Sequence, residues 1–153
     1  MSSCQRVSVI GSGEYSFEIA NQAMRLGQLL ARQGYIIVCG GLGGVMQAAC
    51  KGAFSEGGKT IGILPGTDIS RANPYVSIPI ATGFGHMRNY LVILNGDVIV
   101  AISGGYGTLS EIAMAKKIQK TVIVIGHWNT LPGVIAVQTP EEVLCFLATD
   151  VKQ

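Results

Sequence analysis

Charged side chains are scarce in this chain. They make up 13% of its 153 residues, against roughly 25% in an average soluble domain. The formal net charge is +2 with no acidic or basic run, so the charged stripe of a nucleic-acid groove is missing and nucleic acid is not expected as a partner. A surface this poor in charge predicts a subunit interface, and with it a homodimer or larger homo-oligomer. Histidine occurs twice, and Cys4, Cys39, Cys50 and Cys145 form neither a C-x-x-C pair nor a finger-like spacing, so no metal site is expected. No apolar run reaches the roughly 18 residues of a membrane-crossing helix. The opening MSSCQRVSVIGSG enters a strand-like run without the pattern of a secretory leader. A cytoplasmic protein with reduced thiols is therefore expected. There is no linker, repeat or low-complexity tract, which predicts one domain over residues 1–153.

What the chain does have is a regular alternation of apolar runs and amphipathic stretches. Strands are expected at Arg6–Ile10, Tyr35–Cys39, Thr60–Leu64, Tyr75–Ile80, Asp97–Ile102, Thr121–Ile125 and, more weakly, Val134–Val137. They are short and β-branched with little period-two alternation, as in strands covered on both faces. Helices are expected at Phe17–Gln33, Gly44–Glu56, His86–Leu94, Thr108–Gln119 and Pro140–Leu147. That order predicts an α/β fold with a mostly parallel, doubly wound sheet of six or seven strands.

The 21 glycines cluster after the strand ends, in VIGSGE, VCGGLGG, ILPGT, IATGFGHMRN, AISGGYGT and VIGHWN. In a parallel sheet these ends share one edge, where open α/β folds bind ligands. A glycine loop followed by a helix presents unpaired N–H groups and a positive dipole end to an anion. Gly40-Gly41-Leu42-Gly43-Gly44 and Gly104-Gly105-Tyr106-Gly107 both have this form. The candidate phosphate- or nucleotide-binding residues are therefore Gly11, Ser12, Gly13, Gly40, Gly41, Gly43, Gly44, Ser103, Gly104, Gly105, Tyr106, Gly107 and Thr108. Two familiar signatures fail. The loop from Gly11 has Ser16 in place of the third glycine of G-x-G-x-x-G, and no acidic residue ends the second strand. AFSEGGKT has Ala53 where a P-loop begins with glycine, and it precedes a strand rather than following one.

Thr108-Leu109-Ser110-Glu111 also fits a capping box, the threonine hydroxyl capping a helix and the glutamate returning to the cap. Thr139-Pro140-Glu141-Glu142 has the same pattern without a glycine cradle and reads as purely structural. Capping alone has no use for the glycines before Thr108, so both readings of Thr108 and Glu111 stay open.

The segment SGGYGTLSE resembles the PGGxGTxxE signature of the Lonely Guy (LOG) family, phosphoribohydrolases that release a base from a nucleoside 5′-monophosphate. GHMRN is similar to that family's MHxRK segment, which places Arg88 on the arginine paired with the motif glutamate, here Glu111. The resemblance runs in order through almost the whole chain. The longer ATGFGHMRNYLVILNGDVIVAISGGYGTLSEIAMA is closer to a shorter branch of the same SLOG superfamily. That branch contains the molybdenum cofactor carrier proteins and relatives of DNA-processing protein A. The resemblance implies a Rossmann-like fold and a nucleotide-like or molybdopterin-type ligand, with no cofactor required. It implies either a carrier or, with Arg88 and Glu111 as catalytic residues, an N-glycosidic phosphoribohydrolase. Ser103 replaces the motif proline, which loosens the loop and adds a hydroxyl, and Asn89 replaces the lysine after Arg88. A carboxylate beside the sugar would oppose the positive charge of an oxocarbenium-like transition state. Arg88 could clamp a phosphate or hold the departing base.

Other candidates carry less. His86 reads as a capping or packing residue, and His127–Trp128 as a stacking surface or a structural pair. Asp68 reads as a turn residue, and Lys51, Lys59, Lys116, Lys117 and Lys120 as solvated charges. Related sequences have carried a lysine decarboxylase label, but no lysine lies in a strand-end loop suited to a Schiff base. That activity is rejected.

Overall fold

Covering a strand on both faces removes its need to alternate, and the apolar runs of this chain are used in that way. In the computed structural model, which describes residues 5–14 and 16–150, seven strands join one sheet. They are β1 (Arg6–Gly11), β2 (Ile36–Cys39), β3 (Thr60–Leu64), β4 (Ile78–Ala81), β5 (Val98–Ile102), β6 (Thr121–Ile125) and β7 (Ile135–Val137). The spatial order is β4-β3-β2-β1-β5-β6-β7 and every neighbouring pair is parallel. Four α-helices lie between strands, α1 (Phe17–Arg32), α2 (Val45–Ser55), α3 (Arg88–Asn95) and α4 (Tyr106–Lys117), and a fifth, α5 (Pro140–Asp150), follows β7. The expected α/β, Rossmann-like architecture is what forms, and it is parallel throughout.

The helices divide between the two faces. Val7, Val9, Val100, Ile102, Ile123 and Ile125 point to the α1, α2 and α5 side, while Ile10, Ile99, Ala101, Val122 and Val124 point to the α3 and α4 side. Cys39 and Cys50 lie inside the first of these layers, their sulfurs 3.5 Å apart and hydrogen-bonded. That bond and burial raise the Cys39 thiol well above its ordinary value. Cys4 lies outside the described residues. The outer strand β4 is half-exposed and carries Pro79, a residue without a donor that an edge strand accommodates.

Several boundaries differ from the sequence expectation for physical reasons. Tyr75–Ser77 do not extend β4, because side chains capture their backbone groups: Tyr75 N–H donates to Asn73 Oδ1, its carbonyl accepts from Thr60 Oγ1, and Ser77 N–H donates to the same hydroxyl. The expected helix at His86 splits into a 3-10 turn, Gly85–Met87, and α3. Helix α4 begins at Tyr106, two residues before the expected threonine cap. Lys120 is not simply solvated, for its ammonium donates to the carbonyls of Leu94 (3.2 Å) and Gly96 (2.6 Å) where α3 ends. Cations are favoured at that pole of a helix.

Helices α1 and α2 approach with backbones nearly touching. A side chain on Gly27 would strike the Ala49 carbonyl, and one on Gly52 would strike that of Met24. Gly27→Ala should therefore destabilise the protein by about 1–3 kcal/mol through overpacking, despite alanine's better helix propensity. Urea denaturation measures it, and an unchanged or raised midpoint would contradict this packing.

Candidate functional site

Because all strands run the same way, their carboxyl ends lie along one edge. The strand order reverses between β1 and β5, whose connections wind to opposite faces and open a crevice there. The loops after β1, β2, β5 and β6 border it.

The cradle after β5 is made by an unusual helix start. The cap of α4 is Gly105, which supplies no side chain, and the first intrahelical bond runs from Leu109 N–H to the Gly105 carbonyl at 3.0 Å. The N–H groups of Tyr106, Gly107 and Thr108 thus have no partner within the helix. In contrast, α1 is capped by Ser16 Oγ, which accepts from Ile19 N–H, and α5 by Thr139 Oγ1, which accepts from Glu142 N–H. Around Gly105 and Gly107 the space that a side chain would fill is empty, and Tyr106 is 85% exposed.

The loop before α4 is fixed from behind. Ser103 N–H donates to the Ile125 carbonyl at 3.0 Å, and the Trp128 indole N–H donates to the Gly104 carbonyl at 3.0 Å. Of the two readings given for His127–Trp128 the structural one describes this geometry, the rings meeting edge to face. Ser103 has φ 53°, a left-handed conformation that proline's ring forbids. Serine here does not loosen a proline turn; it permits a different one. Gly104 must lack a side chain because Thr108 Oγ1 occupies that space.

Thr108 is the third residue of α4 and does not cap it, and among the described residues Glu111 makes no return bond. The capping-box reading of this pair fails because the helix starts earlier, on Gly105. In the comparison box Thr139 caps as expected, while Glu142 returns not to the cap's own N–H but to that of Gln138, one residue earlier, at 3.1 Å.

The loop after β2 is more heavily committed to the protein itself. Helix α2 also starts on a glycine without a side-chain cap, Gly44, at φ 67°. Its first N–H, of Val45, donates to the Ser12 carbonyl at 2.9 Å, and a side chain on Gly44 would collide with that carbonyl. The missing side chains of Gly11, Gly40 and Gly41 are likewise used for internal packing, whereas Gly13 and Gly43 face open space. Asn73, which no sequence motif marked, clamps this loop: its side chain donates to the Leu42 carbonyl at 3.0 Å and its own N–H to that of Gly41 at 2.8 Å.

Arg88 opens α3 and is only 9% exposed. Its Nε donates to the Ile63 carbonyl (2.8 Å), one terminal nitrogen to the Gly40 carbonyl (3.3 Å) and the other to Asn89 Oδ1. It joins the ends of β3 and β2, and Gly40 must lack a side chain to admit it. Burial pushes the Glu111 carboxyl up to about 7, with Arg88 pulling the other way. Burial also lowers Arg88, against the attraction of Glu111. The two charges sense one another, but among the described residues they form no direct ion pair. His86 lies exposed in the 3-10 turn, so the packing role expected of it is not found. Asp68 is a turn residue as expected, accepting from Ser70 N–H and Oγ.

The model of the SLOG cluster4 family matches residues 5–152. The solved molybdenum cofactor binding protein of the phototrophic bacterium Rippkaea orientalis superposes with a TM-score of 0.93 at 34% identity, over 99% of each chain. The molybdenum cofactor carrier protein of Chlamydomonas reinhardtii gives 0.87 at 30% identity, over 97% of this chain and 99% of its own. A probable cytokinin riboside 5′-monophosphate phosphoribohydrolase of Oryza sativa subsp. japonica is 31% identical over 100 residues, 63% of this chain and 40% of the rice protein. The match thus spans about two fifths of that relative.

Burial of Glu111 has a consequence for stability. Its carboxyl is raised from 4.5 to about 7 on folding, so across that window the native state holds a proton the unfolded chain has released. Stability must then fall as pH rises from 4.5 towards 7 and stay low above it. Glu111→Gln removes this loss and should melt a few degrees higher than the parent at pH 8, with little difference at pH 4.5. Parallel thermal melts at the two pH values measure this, and equal or lower melting of the variant at pH 8 would refute the assignment.

Proposed function

The chain belongs to the SLOG cluster4 family, and from that premise we propose that it binds a nucleotide-like phosphorylated ligand at Ser103–Thr108 and serves as a cofactor carrier. The observation that carries this reading is the helix α4 start: a glycine cap with no side chain, three N–H groups without a partner among the described residues, and empty space over Gly105 and Gly107. Such a start attracts a phosphate through both hydrogen bonds and dipole. The Ser103 hydroxyl adds a donor at the same loop, and Ser12, Gly13 and Gly43 border the crevice from the β1 and β2 sides. The names of the two solved relatives, one a molybdenum cofactor binding protein and one a carrier of that cofactor, support a cargo of this kind.

A second reading, hydrolysis of a nucleoside 5′-monophosphate, is favoured by the state of Glu111. Its carboxyl is freed from capping, lies close enough to Arg88 to feel its charge, and begins one turn behind the cradle. Against turnover stands Arg88, whose guanidinium is spent on the carbonyls of Ile63 and Gly40, and Asn89, where the resemblance would place a second cation. The carrier reading is the stronger on this balance.

Gly105→Val acts at a negative φ and places its side chain in open space, so the fold should survive, which thermal melting of the variant checks. Phosphate and AMP binding by calorimetry should fall about tenfold or more; unchanged affinity in a folded variant overturns the cradle. Incubation with a panel of nucleoside monophosphates should release no free base. Release that Glu111→Gln reduces by about 10²–10³-fold, while Glu142→Gln does not, would establish the hydrolase instead.

The same reading includes a homo-oligomer. Met87, Tyr90 and Leu94, at helical spacing, are 78%, 41% and 47% exposed, while Val92 and Ile93 of the same helix are buried. Light scattering should show a particle larger than 16.1 kDa, and Tyr90→Glu with Leu94→Glu should reduce it to the monomer. A wild-type monomer at micromolar concentration would end this proposal.

A further inference from the structure

On the α1 face of the sheet, at the carboxyl ends of β5 and β6, lies a cavity of about 310 Å³, on the opposite side of the β5 end from the α4 helix. Its polar lining comes from Ser16, Glu18 and Gln22 of the α1 start, Ser103 and Gly126 at the ends of β5 and β6, and Gln138 after β7, with Ile19 and Ile125 as aliphatic walls. Ser103 belongs both to this cavity and to the loop that becomes the cradle, so one ligand can occupy the two together. Gly126, at φ 91°, leaves the wall open: the nearest atoms to the place of its missing side chain are those of Ser103, 3.8–4.0 Å away.

We infer that this cavity receives the heterocycle of the ligand whose phosphate lies in the α4 cradle, and that it selects a ring with a lactam edge, as in guanine or a pterin, over an adenine-type edge. The inference rests on the phosphate reading of the cradle for the ligand's anchor. The volume suits a bicyclic ring, and the half-buried Ile19 offers apolar surface to one of its faces. Glu18 and Gln22 are four residues apart on α1 and so share one side of the helix. The side-chain amides of Gln22 and Gln138 can each donate and accept, but the Glu18 carboxylate only accepts. Among the described residues no hydrogen bond engages the side chains of Glu18, Gln22, Ser103 or Gln138, while the backbone N–H of Gln138 is already committed to Glu142. A lactam edge with an exocyclic amine presents two adjacent N–H donors to a carboxylate and a carbonyl to an amide. Adenine turns a ring-nitrogen lone pair toward the same position, and that pairing is repulsive. The discrimination comes from the carboxylate, because the amides can turn to suit either ring.

The test is calorimetric titration of the full chain with GMP, AMP, ribose 5-phosphate, guanosine and adenosine. GMP should bind about tenfold or more tighter than AMP, with ribose 5-phosphate weaker than GMP. Glu18→Gln should remove the GMP preference and leave ribose 5-phosphate unchanged, and Gln22→Leu should weaken GMP but not ribose 5-phosphate. Equal affinity for GMP and AMP, or a preference that survives Glu18→Gln, overturns the inference. If ribose 5-phosphate fails to bind while guanosine still exceeds adenosine by a margin that Glu18→Gln removes, the cradle reading fails and the heterocycle site stands.

Discussion

Every strand of the sheet runs in the same direction, and the remainder of the structure follows from that constraint. Parallel strands cannot be joined by tight hairpins, so each crosses back through a helix or a long connection. Each crossing begins at the same edge of the sheet. The loops after β1, β2, β5 and β6 are therefore neighbours although they are far apart in sequence. At the β1–β5 reversal the successor helices leave on opposite faces. A crevice forms there without any residue being selected to open it.

The glycines of this edge perform two distinct tasks. Gly40 and Gly44 lack side chains because protein atoms occupy the space, the Arg88 guanidinium in one case and the Ser12 carbonyl in the other. Gly105 and Gly107 lack them with nothing in the way. The first pair builds the frame on which the loops rest, and the second leaves backbone N–H groups accessible from outside. Trp128 and Asn73 hold these loops by hydrogen bonds to main-chain carbonyls, so the frame is rigid where the ligand would need it to be.

Arg88 shows how a chain with few charges uses one of them. Removing a guanidinium from water is costly unless its donors find partners. Three of them do, on the carbonyl ends of two strands and on Asn89. The carbonyls at those strand ends have no further strand residue to pair with, so the arginine satisfies them as they satisfy it. Glu111 is then partly buried beside a cation it does not directly touch, and desolvation outweighs that attraction. The result is a carboxyl poised near neutrality at the side of the cradle.

The sequence by itself determined the fold class, most of the strand locations and the edge at which the glycine loops gather. Thr60–Leu64 and Thr121–Ile125 form with the expected boundaries because a β-branched run buried on both faces has one low-energy arrangement. Burial of that kind is a property of the run itself and can be read locally. The start of α4 could not be read in this way. Thr108 and Glu111 match a capping box as well as Thr139 and Glu142 do, yet of the two threonines only Thr139 caps. The left-handed turn at Ser103 and the bond from Trp128 to Gly104 allow the first helix to begin on Gly105 instead. Asn73 and the carbonyl partners of Arg88 were equally hidden, since their roles depend on strand ends that meet only when the sheet assembles. Local pattern decides where free energy is gained by burial along the chain. Tertiary structure decides which of several locally equivalent hydrogen bonds is made, because the competing donors and acceptors come from distant segments.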